Sequence, residues 1–122
     1  NPVTARAALT AIAIIREEGL AERAAELGAY AMGRLGALIG KSPHVGEVRG
    51  RGLMFGVELV EDRDGYRPAR ELAERVYYRC LDKGLSFKIS AGNVLTLSPP
   101  LIIAREDLDR ALAIVEDAIL EG

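Results

Sequence analysis

Apolar residues fall along this chain in two periods, one helical and one of strands. Residues 2–18 carry Val3, Ala5, Ala7, Ala8, Leu9, Ala11, Ile12, Ala13, Ile14 and Ile15. They cover nearly the whole circumference of a helix rather than one stripe, and a helix that is apolar all round is normally buried on every side. Asn1 is a suitable N-cap, Pro2 a suitable first helical residue and Gly19 a stop. A second helix is predicted over residues 20–39, with a stripe through Ala21, Ala24, Ala25, Leu27, Gly28, Tyr30, Ala31, Leu35 and Leu38. In this reading Glu22, Arg23, Glu26 and Arg34 lie mostly away from the stripe. Gly40 and Ser42-Pro43 end the helix.

Strand periodicity follows. The segment 44–60 predicts two strands joined at Arg49-Gly50-Arg51-Gly52, with Leu53, Phe55, Val57 and Leu59 alternating on one face. Gly46, Gly50, Gly52 and Gly56 permit tight turning or close backbone approach. A polar turn over residues 61–66 leads to Pro68, which opens a third helix over residues 69–82. Residues 85–90 and 94–98 each alternate apolar and polar, with a Gly92-Asn93 turn between them and Pro99-Pro100 as a stop. A last helix is predicted over residues 106–120, with acids in its first turn suiting the helix dipole.

The order helix, helix, strand, strand, helix, strand, strand, helix predicts an α+β fold. It is a two-layer small domain with a mainly antiparallel sheet of about three to four strands. Helices cover one sheet face, and a long N-terminal helix precedes the domain. The uncovered face would carry Ser86, Lys88, Ser90, Thr96 and Ser98, either solvated or lining a cleft against a further domain. A domain of this size can hardly surround the first helix, so missing domains or a partner subunit would supply its other walls. The chain also lacks an initial Met and opens on a helix cap. It is therefore read as a piece of something longer.

Composition narrows the classes. The chain has 122 residues, 49% of them hydrophobic and 28% charged, with a net charge of -2. Lys and Arg are scattered, so nothing points to nucleic acid or an anionic membrane. No apolar run is long enough to span a bilayer, no signal-peptide pattern is present, and the single Cys80 cannot form an internal disulfide. These features predict a cytoplasmic protein. Candidate chemistry is sparse. His44 is the only histidine and sits in a loop, Cys80 lies on an apolar helix face, and no Cys/His cluster has metal-ligand spacing. The Arg-Gly-Arg-Gly turn is followed by a strand rather than a helix N-terminus, which excludes a phosphate-binding loop. Arg49 and Arg51 read as surface pairing or domain contact, with direct substrate binding as the alternative.

Four motifs in order carry a family resemblance that covers essentially the whole chain. They are Asn1-Pro2-Val3 with the Ala-rich helix and Glu17-Glu18-Gly19-Leu20, the hairpin 45–59, Gly84-Leu85-Ser86, and the segment from Asn93 to Leu101 ahead of an acid-started helix. Together they resemble the C-terminal small domain of class III, fold type I aminotransferases. Similar proteins are the 4-aminobutyrate and ω-amino acid aminotransferases and dialkylglycine decarboxylase. The resemblance implies residues 1–18 as an interdomain helix leading from a large domain, and residues 19–122 as the small domain. It implies pyridoxal 5'-phosphate in the parent enzyme, amino-group transfer from an ω- or α-amine donor to a keto acid, and at least a homodimer.

The same resemblance places the Schiff-base lysine, the aspartate that partners the pyridine nitrogen and the phosphate-binding loops upstream. Lys41, Lys83 and Lys88, the only lysines, do not match the Schiff-base motif. The fragment is expected to bind no cofactor and to hold no catalytic residue. Several family members have an arginine at the position of Thr96, where it grips a substrate carboxylate. Thr96 is thus the candidate substrate-binding residue, and either another group binds the carboxylate or the substrate is a different amine. Lys88, on the same face, could supply a positive charge. The alternative to an enzyme fragment is a stand-alone α+β binding or regulatory module that oligomerises through its first helix.

Overall fold

The computed structural model describes residues 1–122. Helices α1 (Pro2–Glu17) and α2 (Leu20–Gly36) are separated by Gly19, whose φ of +59° breaks the helix between them. Asn1 caps α1 by accepting the Val3 N–H at 2.9 Å. The last turn of the predicted second helix tightens into a 3-10 turn, Ala37–Gly40. Gly33 and Gly36 weaken the α-helix there, and tightened last turns are common at helix ends. Strands β1 (Val45–Arg51) and β2 (Met54–Leu59) form the hairpin, followed by α3 (Arg70–Asp82), β3 (Lys88–Ser90), β4 (Val94–Leu97) and α4 (Arg105–Leu120).

The strands make one antiparallel sheet in the order β1-β2-β4-β3. This is the two-layer α+β arrangement that the pattern predicts. Strand β3 is shorter than its alternation suggests. Continuing the β3–β4 register would set Ser86 opposite Ser98 and Leu85 opposite Pro99, and a proline has no N–H to offer the ladder. Residues 85–87 therefore leave the sheet.

A core of 22 buried residues fills the layer between the sheet and helices α2, α3 and α4. Phe55, Val57 and Leu59 of β2 and Leu95 and Leu97 of β4 point into it, against Leu35, Val76, Leu112 and Val115. Two glycines set the distance between α2 and the hairpin. Gly52, at φ +55°, turns the chain between β1 and β2. Gly28 of α2 packs on it so closely that a Cβ there would lie 2.1 Å from the Gly52 carbonyl oxygen.

Arginines tie the outer elements. Arg23 donates to the Leu101 carbonyl at 2.7 Å and to that of Ile103. Arg63 donates to the carbonyls of Ser42 at 2.6 Å, Val45 at 3.2 Å and Ile39. Arg34 grips Glu116 of α4 at 2.5 and 2.9 Å and lies 3.4 Å from Asp109. Tyr30 donates to Asp109 at 2.5 Å, and this bond, with the nearby Arg105 and Arg34 charges, holds the Asp109 carboxyl below its ordinary range. Arg23 and Arg34 do sit away from the apolar stripe, but they fasten other elements rather than face only solvent.

Helix α1 lies open on this chain, which can hardly surround it. None of its residues is buried, and Val3 and Leu9 are 76% and 62% exposed. The walls that would bury it on every side are not in this chain, and α2 is the element it meets most. No helix is long and apolar enough to cross a membrane.

Candidate functional site

The sheet face turned away from the helices is the candidate site. Because paired residues share a face, the registers align two rows across all four strands. One row is Arg49, Gly56, Thr96 and Lys88; the next is Glu47, Glu58, Val94 and Ser90. Glu47 and Glu58 stand directly opposite, a pairing that repels unless a cation intervenes. Arg49 provides it, donating to Glu47 at 2.7 Å and Glu58 at 2.6 Å. The Glu58 bond comes first among the causes that hold the guanidinium's pKa above its ordinary value. Glu58 also accepts from the buried Asn93 amide at 3.4 Å, and the same amide donates to the Leu59 carbonyl at 2.9 Å. Arg49 is thus occupied in holding the hairpin, as the surface-pairing reading expects.

Beside this ion cluster the middle of the row carries no charge, and Lys88 stands at its far end. Gly56 puts no side chain into the row, and its neighbour Thr96 is half-buried. The Thr96 hydroxyl donates to the Ser90 hydroxyl at 2.9 Å. The pair so oriented leaves Thr96 Oγ1 as an acceptor and the Ser90 O–H as a donor. The shallow bowl they line, about 500 Å³, is bounded by Arg49, Arg51 and Met54 on the hairpin side.

Thr96 and Ser90 also belong to a second concavity of about 640 Å³, between the end of β4, residues 85–87 and the first half of α4. All five polar positions singled out in the sequence, Ser86, Lys88, Ser90, Thr96 and Ser98, line it. Only Lys88, Ser90 and Thr96 are on the sheet itself; Ser86 and Ser98 reach the cleft from the segments that flank it.

The remaining candidates are structural. His44 donates from Nδ1 to the Val60 carbonyl at 3.1 Å, beside the start of β1. Cys80 is fully buried, and burial pushes its thiol from 9.0 up to about 11. No three His, Cys, Asp or Glu side chains converge as a metal site would require. Sequence reasoning missed the Arg49–Glu47–Glu58–Asn93 cluster. Its only signal is the spacing of Glu47, Arg49 and Glu58 on alternate positions of two strands, and that becomes readable once the hairpin register is known.

Residues 1–119 match the family model described as aminotransferase class-III. The chain is 46% identical over 121 residues to a leucine/methionine racemase of Thermococcus litoralis, covering 99% of this chain and 27% of that protein. It is 44% identical over 113 residues to an ornithine aminotransferase of Bordetella pertussis, covering 93% of this chain and 25% of that one. Among solved structures, a phospholyase from Arthrobacter in complex with phosphoethanolamine superposes with a TM-score of 0.91 at 32% identity, over 100% of this chain and 29% of that chain. The chain therefore spans about a quarter of the length of the relatives it matches. With the family model matching nearly end to end and the fold superposing throughout, this chain belongs to the class-III aminotransferase family.

Proposed function

We propose that this chain is the C-terminal small domain of a pyridoxal-phosphate-dependent class-III aminotransferase. Residues 1–18 form the helix leading in from a large domain, and residues 19–122 form the small domain. The parent transfers an amino group from an ω- or α-amine donor to a keto acid, working in the cytoplasm as a homodimer or larger assembly. The open sheet face, with Thr96 at its centre, forms one wall of the substrate pocket. The observation that carries this reading is the row Arg49–Gly56–Thr96–Lys88: helices cover the opposite face, while this one presents a half-buried hydroxyl beside a gap left by a glycine.

The cofactor is assigned to the large domain because this chain's residues do not fit it. Pyridoxal phosphate needs a lysine amine and a carboxylate beside its ring nitrogen. Lys88 lines the cleft, but no carboxylate does. Lys83 lies 3.9 Å from both Asp117 and Glu121, where α3 and α4 end, and Lys41 is exposed beside Arg34 and Glu116. This chain binds and orients substrate; it moves no proton in the reaction. Racemase, aminotransferase and phospholyase relatives share this one domain. That fits a wall whose side chains choose the substrate while the reaction is set elsewhere.

Thr96 tests the assignment. In the parent protein, Thr96→Arg should raise kcat/KM for an amino acid bearing a distal carboxylate about tenfold or more relative to an uncharged one, the scale of one charge-assisted hydrogen-bonded pair. An unchanged ratio would remove Thr96 from the substrate wall. The second reading, a stand-alone module oligomerising through α1, draws on the exposed Val3, Leu9 and Ile12. The mass of the native species separates the two: a protein several times larger than 13.1 kDa supports the fragment.

A further inference from the structure

The 640 Å³ cleft has one rim made of irregular backbone. Residues 98–104 join β4 to α4, and Ser98, Pro99, Pro100 and Ile103 of that segment line the cleft. Pro99 and Pro100 have no N–H to offer, and the backbone bond inside the segment runs from the Ile103 N–H to the Pro100 carbonyl at 3.0 Å. Ile103 packs against the core, but Leu101 and Ile102 are 38% and 69% exposed. The polar tie to the rest of the domain is Arg23 of α2. Its guanidinium donates to the Leu101 carbonyl at 2.7 Å and, from its other terminal nitrogen, to the Ile103 carbonyl. A planar fork suits two acceptors separated by one residue, whereas an ammonium is a single point charge. Arg23 is half-buried and does not itself line the cleft. The next residue, Ala24, lies against the hairpin turn: a Cβ on Gly52 would be 3.6 Å from the Ala24 carbonyl oxygen. Met54 and Phe55, just past that turn, line the other side of the cleft. One turn of α2 therefore braces both sides.

We infer that Arg23 is a positioning residue for the substrate wall, holding the Pro99–Ile103 rim at the distance a bound substrate needs. This rests on the proposed reading of the open face and its cleft as part of the parent's substrate pocket. Arg23 touches no substrate; it acts through the two carbonyls. With both donors removed, the Leu101 and Ile103 carbonyls lose their fixed partner, and the rim samples positions in which the cleft is too wide. A site whose competent form is populated one-tenth of the time binds about tenfold more weakly. The bound complex still has the rim in place, and the reacting groups belong to the large domain. The loss therefore falls on KM and leaves kcat unchanged.

The test has two arms. In the 122-residue chain, Arg23→Met should speed amide hydrogen exchange at Ile103 about tenfold and leave Val57, Leu95 and Val115 unchanged, because only the rim is released. In the parent protein, with L-ornithine or 4-aminobutyrate as donor and 2-oxoglutarate as acceptor, the same variant should raise the donor KM about tenfold with kcat within twofold. Arg23→Lys, which keeps the charge but reaches one carbonyl at a time, should change each quantity about threefold. Should Arg23→Met fail to fold, the lysine variant decides alone. Unchanged exchange at Ile103, acceleration spread evenly over the domain, or a fall in kcat at constant KM would each overturn the inference; the second result would mean a merely structural role. A parent that turns over no amine donor would sink the aminotransferase reading instead, and the exchange rates would still decide whether Arg23 holds the rim.

Discussion

Alanine in place of Gly28 should destabilise the domain by about 2 kcal/mol, while the same change at Gly33, five residues further along the same helix, should stabilise it by up to about 1 kcal/mol. A Cβ at Gly28 would lie 2.1, 2.4 and 2.6 Å from the carbonyl oxygen, carbonyl carbon and Cα of Gly52. All three are backbone atoms, so no rotamer change relieves the clash. The helix or the hairpin turn must move, and Gly52 is held at φ +55°. Forced overpacking of this kind costs about 1–3 kcal/mol or more, which outweighs the gain of about 1 kcal/mol from removing a helical glycine. At Gly33 no heavy atom lies within 4 Å of the added Cβ, so only the propensity gain remains. Urea unfolding midpoints of the two variants measure this difference in sign. Equal midpoints would show that α2 and the hairpin do not pack as closely as described.

The largest context-dependent effect should come from α1. In the 122-residue chain, Val3→Glu with Leu9→Glu should leave stability within about 0.5 kcal/mol, as is usual for exposed positions. Val3 and Leu9 are 76% and 62% exposed, and no α1 residue is buried. In the parent protein the same pair should destabilise the assembled enzyme by roughly 3 kcal/mol or more, because a carboxylate enclosed among apolar groups without a partner is strongly disfavoured. Thermal melts of both forms, with sedimentation of the parent, provide the comparison. An equally small effect in the parent would mean that α1 remains exposed there, and the proposed packing on a large domain would fall.

The elements and their order were legible because each has a clean period: 3.6 in α2, α3 and α4, and 2 in β2 and β4. The open face was legible for the same reason, since Leu95 and Leu97 turned inward leave Thr96 outward. What the pattern could not hold was anything set by contacts between distant segments. Gly28 reads as one more small residue in an apolar stripe until Gly52 is placed against it. Arg23, Arg34 and Arg63 read as solvent-facing charges, although each binds carbonyls or carboxylates far away in sequence. Strand β3 has half its expected length because Pro99, just past the end of β4, withholds the N–H it would need. The all-round apolar pattern of α1 signals burial, but nothing within these 122 residues buries it.

A division of labour follows. On the open sheet face of this quarter-length domain Arg49 is neutralised by Glu47 and Glu58, and the Thr96 and Ser90 hydroxyls bond to each other beside it. Its lysines lack the surroundings that would hold a pyridoxal cofactor. The most direct test of that claim is to titrate the 122-residue chain with pyridoxal phosphate and record its visible absorbance, before and after replacing Lys88 by methionine. The account predicts no stoichiometric Schiff-base band and no difference between the two proteins. A one-to-one band that disappears with Lys88 would contradict it, placing the cofactor-binding lysine in this domain.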